Sequence, residues 1–311
     1  MALTQSPFPI GTPGVPWTAV ERTAWRASQT KRRSYADEVL TVVERLKSGF
    51  DVVPYGTLEY APDGTYPLFA LRSRAWNDTL PLAMITGGVH GYETSGVHGA
   101  LRFAERDASA FAGKLNVLIA PCVSPWAYER IHRWNPEAID PNRSFKGEGA
   151  SAEARHLMQL VAPYRGRFLV HLDLHETTDS DETEFRPALS ARDGKNFAPG
   201  VIPDGFYLVD DSGNRQLGFQ QAIIEAVERV THIAEPDEHG QLIEVPLSSR
   251  GVIEYAVRSL GLCAGLTGAR FTTTTEVYPD SPRATPGQCN EAQATAVRAG
   301  LEYALRSSES K

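Results

Sequence analysis

The chain has 311 residues, of which 41% are hydrophobic and 22% are charged, a composition typical of a globular domain. A net charge of −7 disfavours nucleic acid or an anionic membrane surface as the main partner. The sequence contains no apolar run long enough to span a bilayer, so we expect no membrane partner. The one basic cluster, Lys31, Arg32 and Arg33, is interpreted as a solvated stretch.

The cysteines and the N-terminal residues bear on the cellular compartment. Cys122, Cys263 and Cys289 are scattered, with no spacing typical of a metal site or a redox motif. This usage indicates reduced thiols. Residues 1–17 lack the basic start and the apolar core of a secretion signal. We therefore expect a cytoplasmic protein.

Hydrophobic periodicity predicts alternating helices and strands along the chain. A helix is predicted over 33–49, followed by an antiparallel strand pair over 51–60 and 66–76 that is joined by the turn Pro62-Asp63-Gly64. The later predicted strands are 80–86, 114–123, 167–176 and 269–278. The later predicted helices are 97–111, 151–164, 214–230 and 290–306. This alternation predicts a single-domain, three-layer α/β/α fold with a central mixed, mostly parallel twisted sheet.

Ionisable residues follow four of these strands, at the edge where such sheets bind their ligands. His90 and Glu93 lie three residues apart after the strand 80–86, and His175 lies at the end of the strand 167–176. Two imidazoles and one carboxylate, with a fourth position open to water, are typical of a catalytic zinc site. We therefore predict one zinc ion, although N and O ligands also suit neighbouring divalent metals.

A zinc-activated water also needs a base, and Glu276 is the best candidate, since it lies near the end of the last predicted strand. His171, Asp173 and His175 alternate and therefore share one strand face. His171 lies deeper along that face and is interpreted as a partnered core histidine. Glu176 points to the opposite face, which argues against it as the base.

An acidic run follows this strand and comprises Asp179, Asp181, Glu182 and Glu184. It could attract a cationic substrate group. Runs of this kind are more often solvated loops, and we adopt that interpretation.

Between about residues 80 and 280 the chain resembles the carboxypeptidase A-like zinc metallocarboxypeptidases. The resemblance rests on the order of its motifs, which are His90-Gly-Tyr-Glu93, Arg133-Trp-Asn, Asp140-Pro-Asn142-Arg143, His175 and Thr275-Glu276. It implies a zinc carboxypeptidase-like fold and one catalytic domain over residues 1–311. Residues 1–32 would form an N-terminal extension, either packed on that domain or trailing from it.

The resemblance also implies roles for the residues in these motifs. His90, Glu93 and His175 would bind zinc, and Glu276 would be the general base and proton shuttle. Arg133 would polarise the scissile carbonyl, and the neighbouring Arg130 is the alternative for that role.

Substrate binding is implied for a second group. Asn142 and Arg143 would hold the terminal carboxylate of the substrate, a role that suits the fork geometry of a guanidinium. Asp140 would accept the other ring N–H of His90. Ile253, within the segment 249–255, would lie near the substrate side chain.

The activity that we expect is hydrolysis of an amide bond next to a free carboxylate, by a metallocarboxypeptidase that acts on small peptides. One alternative is a zinc-dependent acylase of N-acyl amino acids. The predicted zinc ligands and the motif Asp173-Leu-His175 also resemble those of the aspartoacylase and succinylglutamate desuccinylase group. A third alternative is a non-catalytic zinc-dependent binding protein, which would have little reason to keep Glu276.

Overall fold

A mixed eight-stranded sheet forms the centre of the protein, in a computed structural model that describes residues 8–309. The strands, in chain order, are β1 (Phe50–Glu59), β2 (Thr65–Ser73), β3 (Leu82–Gly87), β4 (Asn116–Ala120), β5 (Phe168–Glu176), β6 (Tyr207–Asp211), β7 (Gln241–Leu242), β8 (Val245–Pro246), β9 (Val252–Tyr255) and β10 (Phe271–Val277). The order across the sheet is β1-β2-β4-β3-β5-β10-β6-β9, and β7 and β8 form a separate hairpin.

The central strands β4, β3, β5 and β10 run parallel to one another. β1 and β2 extend the sheet antiparallel on one side, and β6 is antiparallel to β10 on the other side. β9 pairs in parallel with β6 at that edge. The mixed sheet predicted from the sequence is therefore confirmed, as is the antiparallel β1–β2 pair.

Helices pack on this sheet. They are α1 (Ala19–Ser28), α2 (Thr41–Arg45), which continues a π-helical turn over Ala36–Leu40, α3 (Thr94–Arg106), α4 (Pro125–Arg130), α5 (Ala152–Val161), α6 (Arg186–Asp193), α7 (Leu217–Val227), α8 (Val257–Leu260) and α9 (Pro286–Glu309). α9 packs between α3 and α7. Among residues 8–309, no helix combines the length and the apolar character needed to cross a membrane.

The sheet is buried on both faces, which explains the nearly continuous apolar sequence of β3. Ala83 and Ile85 belong to one hydrophobic cluster, whereas Leu82 and Met84 belong to a second cluster. Successive side chains of a strand point to opposite faces, so both faces of β3 must be apolar. The polar atoms of the site are therefore confined to the ends of the strands.

An aromatic cluster joins the N-terminal residues to the domain. Trp17 and Trp25 are buried, and the ring of Trp25 lies 4.9 Å from His132 and 5.6 Å from Trp134, measured between ring centroids. α1 begins with a capping box in which Thr18 is the N-cap residue. The helix therefore presents Trp25 to the core.

The solvated interpretation of the basic cluster is wrong for Arg33. Its Nη2 donates to the carbonyl of Gly91 at 2.7 Å, and its Nε donates to the carbonyl of Tyr128 at 2.7 Å. The guanidinium also lies 3.5 Å from the centroid of the Tyr128 ring. Arg33 thus holds the turn that contains His90 against α4.

The buried His132 should make the protein sensitive to acid. Burial, together with the charges of Arg32 and Arg133, lowers the pKa of His132 to about 3. The unfolded chain takes up this proton near pH 6.5. Above pH 6.5 the imidazole is neutral in both states, and this residue does not weaken the fold. As the pH falls from 6.5 toward 3, only the unfolded chain is protonated at His132, which lowers the free energy of unfolding by about 1.4 kcal/mol per pH unit.

His132→Asn keeps a hydrogen-bond acceptor at this position and removes the titrating group. We expect its free energy of unfolding, measured with urea at several pH values between 7 and 4, to fall less steeply with acid than that of the wild type. Equal pH slopes for the two proteins would contradict the assignment.

Candidate active site

A tight turn between β3 and α3 brings His90 and Glu93 together. Gly88 has a φ of 60°, a left-handed conformation that glycine adopts without strain. A Cβ on Gly91 would lie 2.0 Å from the carbonyl carbon of Ala127, so only glycine lets the turn approach α4 this closely. The two side chains therefore converge from the turn, and α3 begins only afterwards, at Thr94.

Glu93 connects the two predicted histidine ligands. Its Oε1 lies 2.7 Å from Nδ1 of His90, and its Oε2 lies 2.8 Å from Nδ1 of His175. One ligand atom from each of the three residues lies within 4.8 Å of the other two. The structure thus brings together the three residues that the sequence predicts as metal ligands.

An aspartate also contacts the second ring nitrogen of each imidazole. Nε2 of His90 lies 2.9 Å from Oδ1 of Asp140, as the resemblance implied, and Nε2 of His175 lies 2.7 Å from Oδ2 of Asp173. Thr86 donates to the other oxygen of Asp173 at 2.5 Å. A carboxylate behind each histidine fixes the ring and directs the opposite nitrogen toward a metal. Asp173 was not predicted in this role.

The electrostatics of the cluster suit a divalent cation. Burial opposes the charge of Glu93, but His175 and His90 outweigh burial and lower its pKa to about 2. Burial likewise opposes the charge of His175, but Asp173 and Glu93 raise its pKa well above the usual value. Oε1 of this buried carboxylate faces His90 and Oε2 faces His175. A buried carboxylate between two imidazoles is a donor set that fits zinc.

Strand register places Glu276 beside this cluster. Glu276 of β10 is the direct neighbour of His175 in the parallel β5–β10 pair, so the two side chains share one face of the sheet. Thr177 donates from Oγ1 to Oε2 of Glu276 at 3.0 Å. Burial raises the pKa of this carboxyl to about 8. An enclosed carboxyl with a raised pKa is suited to accepting and returning a proton.

Arg133 lies in the same cavity and is firmly held. Its Nε donates to Oδ2 of Asp140 at 3.2 Å, and its Nη1 donates to the Tyr92 hydroxyl at 3.0 Å. The guanidinium carbon lies 4.4 Å from the centroid of the Phe185 ring. Nη2 forms no hydrogen bond within the described part of the chain, so it is available to a substrate. The alternative, Arg130, bonds to Tyr66 outside this cavity.

Asn142 and Arg143 lie on a 3₁₀ turn, Pro141–Arg143, which Asp140 caps through the backbone N–H of Asn142 at 2.9 Å. A proline at the first position of such a turn fits without strain. Oδ1 of Asn142 accepts from the backbone N–H of Cys263 at 2.7 Å, which leaves its amide nitrogen toward the cavity. Arg143 is exposed, and its Nη1 donates to the carbonyl of Asn142 at 2.8 Å.

The cavity that contains these side chains has a volume of about 380 Å³. Its walls include side chains of α6, β6 and the β7–β8 hairpin. Ile253 does not line the cavity. It lies on the correct side of the sheet, opposite Val209, but the hairpin covers it and leaves it fully buried. Tyr255, two residues further along β9, faces the cavity instead.

Two further predictions concern residues near His175. His171 is a buried, partnered histidine, as predicted, because Thr86 and Thr267 contact its two ring nitrogens. Glu176 points to the opposite face, as predicted, and accepts from the backbone N–H groups of Thr94 and Ser95 at 3.0 and 2.6 Å. Glu176 therefore caps α3 and lies on the side of β5 away from His175.

The solvated interpretation of the acidic run is wrong for Asp181 and Glu182. Asp181 accepts from the Tyr92 hydroxyl at 2.9 Å and from Arg133 at 3.3 Å, and it lines the cavity. Glu182 lies 2.5 Å from Nε of Arg186. Only the outer members of the run, Asp179 and Glu184, are exposed. The run closes one side of the cavity and pairs with Arg133 and Arg186.

Comparison with solved structures identifies the architecture. A candidate metallopeptidase from Shewanella amazonensis superposes with a TM-score of 0.62 at 20% identity, over 86% of this chain and 91% of that chain. The fold is that of the zinc carboxypeptidases. A metallo-carboxypeptidase from Pseudomonas aeruginosa matches with a TM-score of 0.58 at 16% identity, over 86% of this chain and 69% of its own. Bovine thrombin-activatable fibrinolysis inhibitor matches with a TM-score of 0.58 at 12% identity, over 90% and 99%.

The family comparison points to the second group named by the sequence resemblance. The model of the succinylglutamate desuccinylase/aspartoacylase catalytic domain matches residues 79–196. This range includes His90, Glu93, Asn142, Arg143 and His175, but it ends before β10. No match was found among curated protein sequences. The chain thus has the fold of the zinc carboxypeptidases, and its residues 79–196 are similar to the succinylglutamate desuccinylase/aspartoacylase catalytic domain, so the resemblance to both groups is confirmed.

Replacement of His175 should remove the metal and leave the fold intact. We expect His175→Ala to lose most of its zinc after dialysis, and Asp173→Asn to bind zinc about 10- to 100-fold more weakly, because the ring of His175 is then less well oriented. Metal analysis measures the first effect and a competing chelator measures the second.

His239→Ala is the matched control, since its imidazole side chain is 71% exposed and is not part of the cluster. Near-stoichiometric zinc in His175→Ala would exclude His175 as a ligand.

Proposed function

We propose that this protein is a zinc-dependent hydrolase that cleaves an amide bond next to a free carboxylate, as a metallocarboxypeptidase acting on small peptides. The observation that carries the proposal is the strand register that sets Glu276 beside His175, within the cavity that also contains Arg143. A metal donor set, a proton acceptor and a carboxylate receptor thus share one site. The free, buried cysteines support the cytoplasm as its location.

His90, Glu93 and His175 would hold the zinc ion. When bound, zinc supplies a positive charge that polarises a carbonyl and activates water. Asp140 and Asp173 keep both imidazoles oriented, so the three ligands need little rearrangement when the ion enters.

Glu276 would move the proton. Its Oε2 is held by Thr177, which leaves Oε1 to take a proton from the attacking water. The protonated carboxyl would then deliver that proton to the leaving nitrogen. Because Glu276 would both accept and deliver the proton, the reaction needs no second acid.

Two arginines would orient the substrate. Arg133, fixed by Asp140, Tyr92 and Asp181, would contact the carbonyl oxygen on which negative charge develops. Within residues 8–309 only Nη1 of Arg143 donates a hydrogen bond, so its other N–H groups would bind the terminal carboxylate as a charge-assisted pair. These contacts would place the scissile bond near the metal ligands and Glu276.

A second candidate is hydrolysis of N-acyl amino acids. The match of residues 79–196 to the succinylglutamate desuccinylase/aspartoacylase catalytic domain favours it. Such substrates also carry a free carboxylate next to the amide bond, so Arg143 would serve both reactions. Hydrolysis of peptides with free or amidated C-termini, measured beside N-acyl amino acids, distinguishes the two.

Replacement of Glu276 should slow the reaction without weakening metal binding. Glu276→Gln keeps the size of the side chain but cannot accept the proton, so we expect kcat to fall at least about 100-fold, with zinc content unchanged. Metal content and kcat are measured on the same preparation, with the exposed Glu225→Gln on α7 as the matched control. Intact zinc with near-wild-type turnover would assign the base to another residue.

Loss of the carboxylate receptor should affect substrate affinity selectively. We expect Arg143→Ala to raise KM for peptides with a free C-terminus by an amount equivalent to roughly 1 kcal/mol, because Arg143 is exposed and its ion pair with the carboxylate is partly solvated. Amidated peptides provide the comparison. If the substitution changes both substrate classes equally, Arg143 does not bind the carboxylate.

A further inference from the structure

The β7–β8 hairpin has an unfavourable turn sequence. Its two loop residues, Ile243 and Glu244, have φ values of 45° and 66°. A two-residue hairpin loop with both φ values positive prefers Asn-Gly, because these residues tolerate the left-handed region. A β-branched isoleucine is a genuine outlier there. The hairpin therefore keeps strain that a common turn sequence would remove.

The position of the loop suggests why these side chains are present. Leu242 is buried in a cluster with Tyr207, Val209 and Ile253, which anchors the hairpin on the sheet. Ile243 and Glu244 then line the cavity. Strained residues that the surrounding packing maintains are concentrated at binding sites. The loop therefore places one apolar and one anionic side chain at the substrate cavity.

Charge pairing in the cavity leaves two groups available. Arg133 and Arg186 each form ion pairs with carboxylates of the acidic run. Arg143 and Glu244 are exposed, and neither forms an ion pair with another side chain within residues 8–309. Both lie close enough to the phenol of Tyr255 to influence it. Burial and Glu276 raise the pKa of Tyr255, Arg143 lowers it, and Glu244 raises it.

We propose that Glu244 is a specificity-determining residue that binds the α-ammonium group of a short peptide whose carboxylate is held by Arg143. This inference rests on the proposed function and names its substrate class as small zwitterionic peptides with both termini free. The cavity volume of about 380 Å³ is at the small end of the usual range for ligand sites, so the two ends of a short substrate lie near its walls. N-acyl amino acids lack the ammonium group, so they present no positive charge for Glu244 to bind.

The first test removes the charge of Glu244. Glu244→Gln should raise KM about fivefold for an unmodified dipeptide, the size of one partly solvated ion pair, and leave KM for the N-acetylated dipeptide unchanged. Glu225→Gln makes the same change of charge on α7 and should alter neither value. An equal change of KM for both substrates in Glu244→Gln would overturn the inference.

The second test replaces the whole loop by a favourable turn. The double substitution Ile243→Asn with Glu244→Gly should raise the Tm, because the strain is relieved, and should abolish the preference for the free dipeptide over its N-acetyl form. A double variant that keeps this preference would show that the loop residues are structural only.

Calorimetric binding to the zinc-loaded protein separates failure of this inference from failure of the proposed function. Binding of the free dipeptide that weakens in Glu244→Gln supports the inference even if no peptide is hydrolysed, a result that would refute the proposed activity. Equal affinity of the wild type for free and acetylated dipeptides would refute the inference even if both are hydrolysed.

Discussion

Glu93 carries a negative charge on a side chain that is only 1% exposed, and its neighbourhood compensates that charge. Burial of an isolated carboxylate costs many kcal/mol, so the charge needs partners. His90 and His175 supply these partners through their Nδ1 atoms, and two aspartates supply the next layer. Burial opposes a charge on His175, but Asp173 and Glu93 raise its pKa well above the usual value, so the surrounding carboxylates favour a positive charge at the centre.

The sheet supplies the precision that this cluster needs. His175 and Glu276 are neighbours across one parallel strand pair, so their separation is fixed by backbone hydrogen bonds rather than by a flexible loop. The Asp140 loop is less regular, yet its carboxylate contacts His90, Arg133 and the backbone of Asn142 at once. A single side chain thereby connects the turn that contains Asn142 and Arg143 to His90. The geometry of the candidate site is set mainly by the strands of the sheet, and sites built on strands are more precise than sites on loops.

Most of the central sheet could be predicted from the sequence, because β3, β4 and β5 are buried on both faces and read as apolar runs bounded by turn residues. The strand β6 and the edge strand β9 could not. Both are short and contain acidic residues, so they lack the continuous apolar sequence that marks β3 and β4. These short strands and the hairpin between them form much of the substrate cavity, so specificity depends on the least predictable elements.

The sequence by itself determined which residues could meet at the centre, because the order and spacing of His90, Glu93, His175 and Glu276 carry that information. Only the tertiary structure decided which acidic side chains pair with the arginines of the cavity and which are exposed to solvent. Asp181 belongs to a run that looks solvated, yet the fold pairs it with Arg133, a residue 48 positions away. Long-range pairing of this kind leaves no local signal, since it depends on how distant loops meet at the end of the sheet.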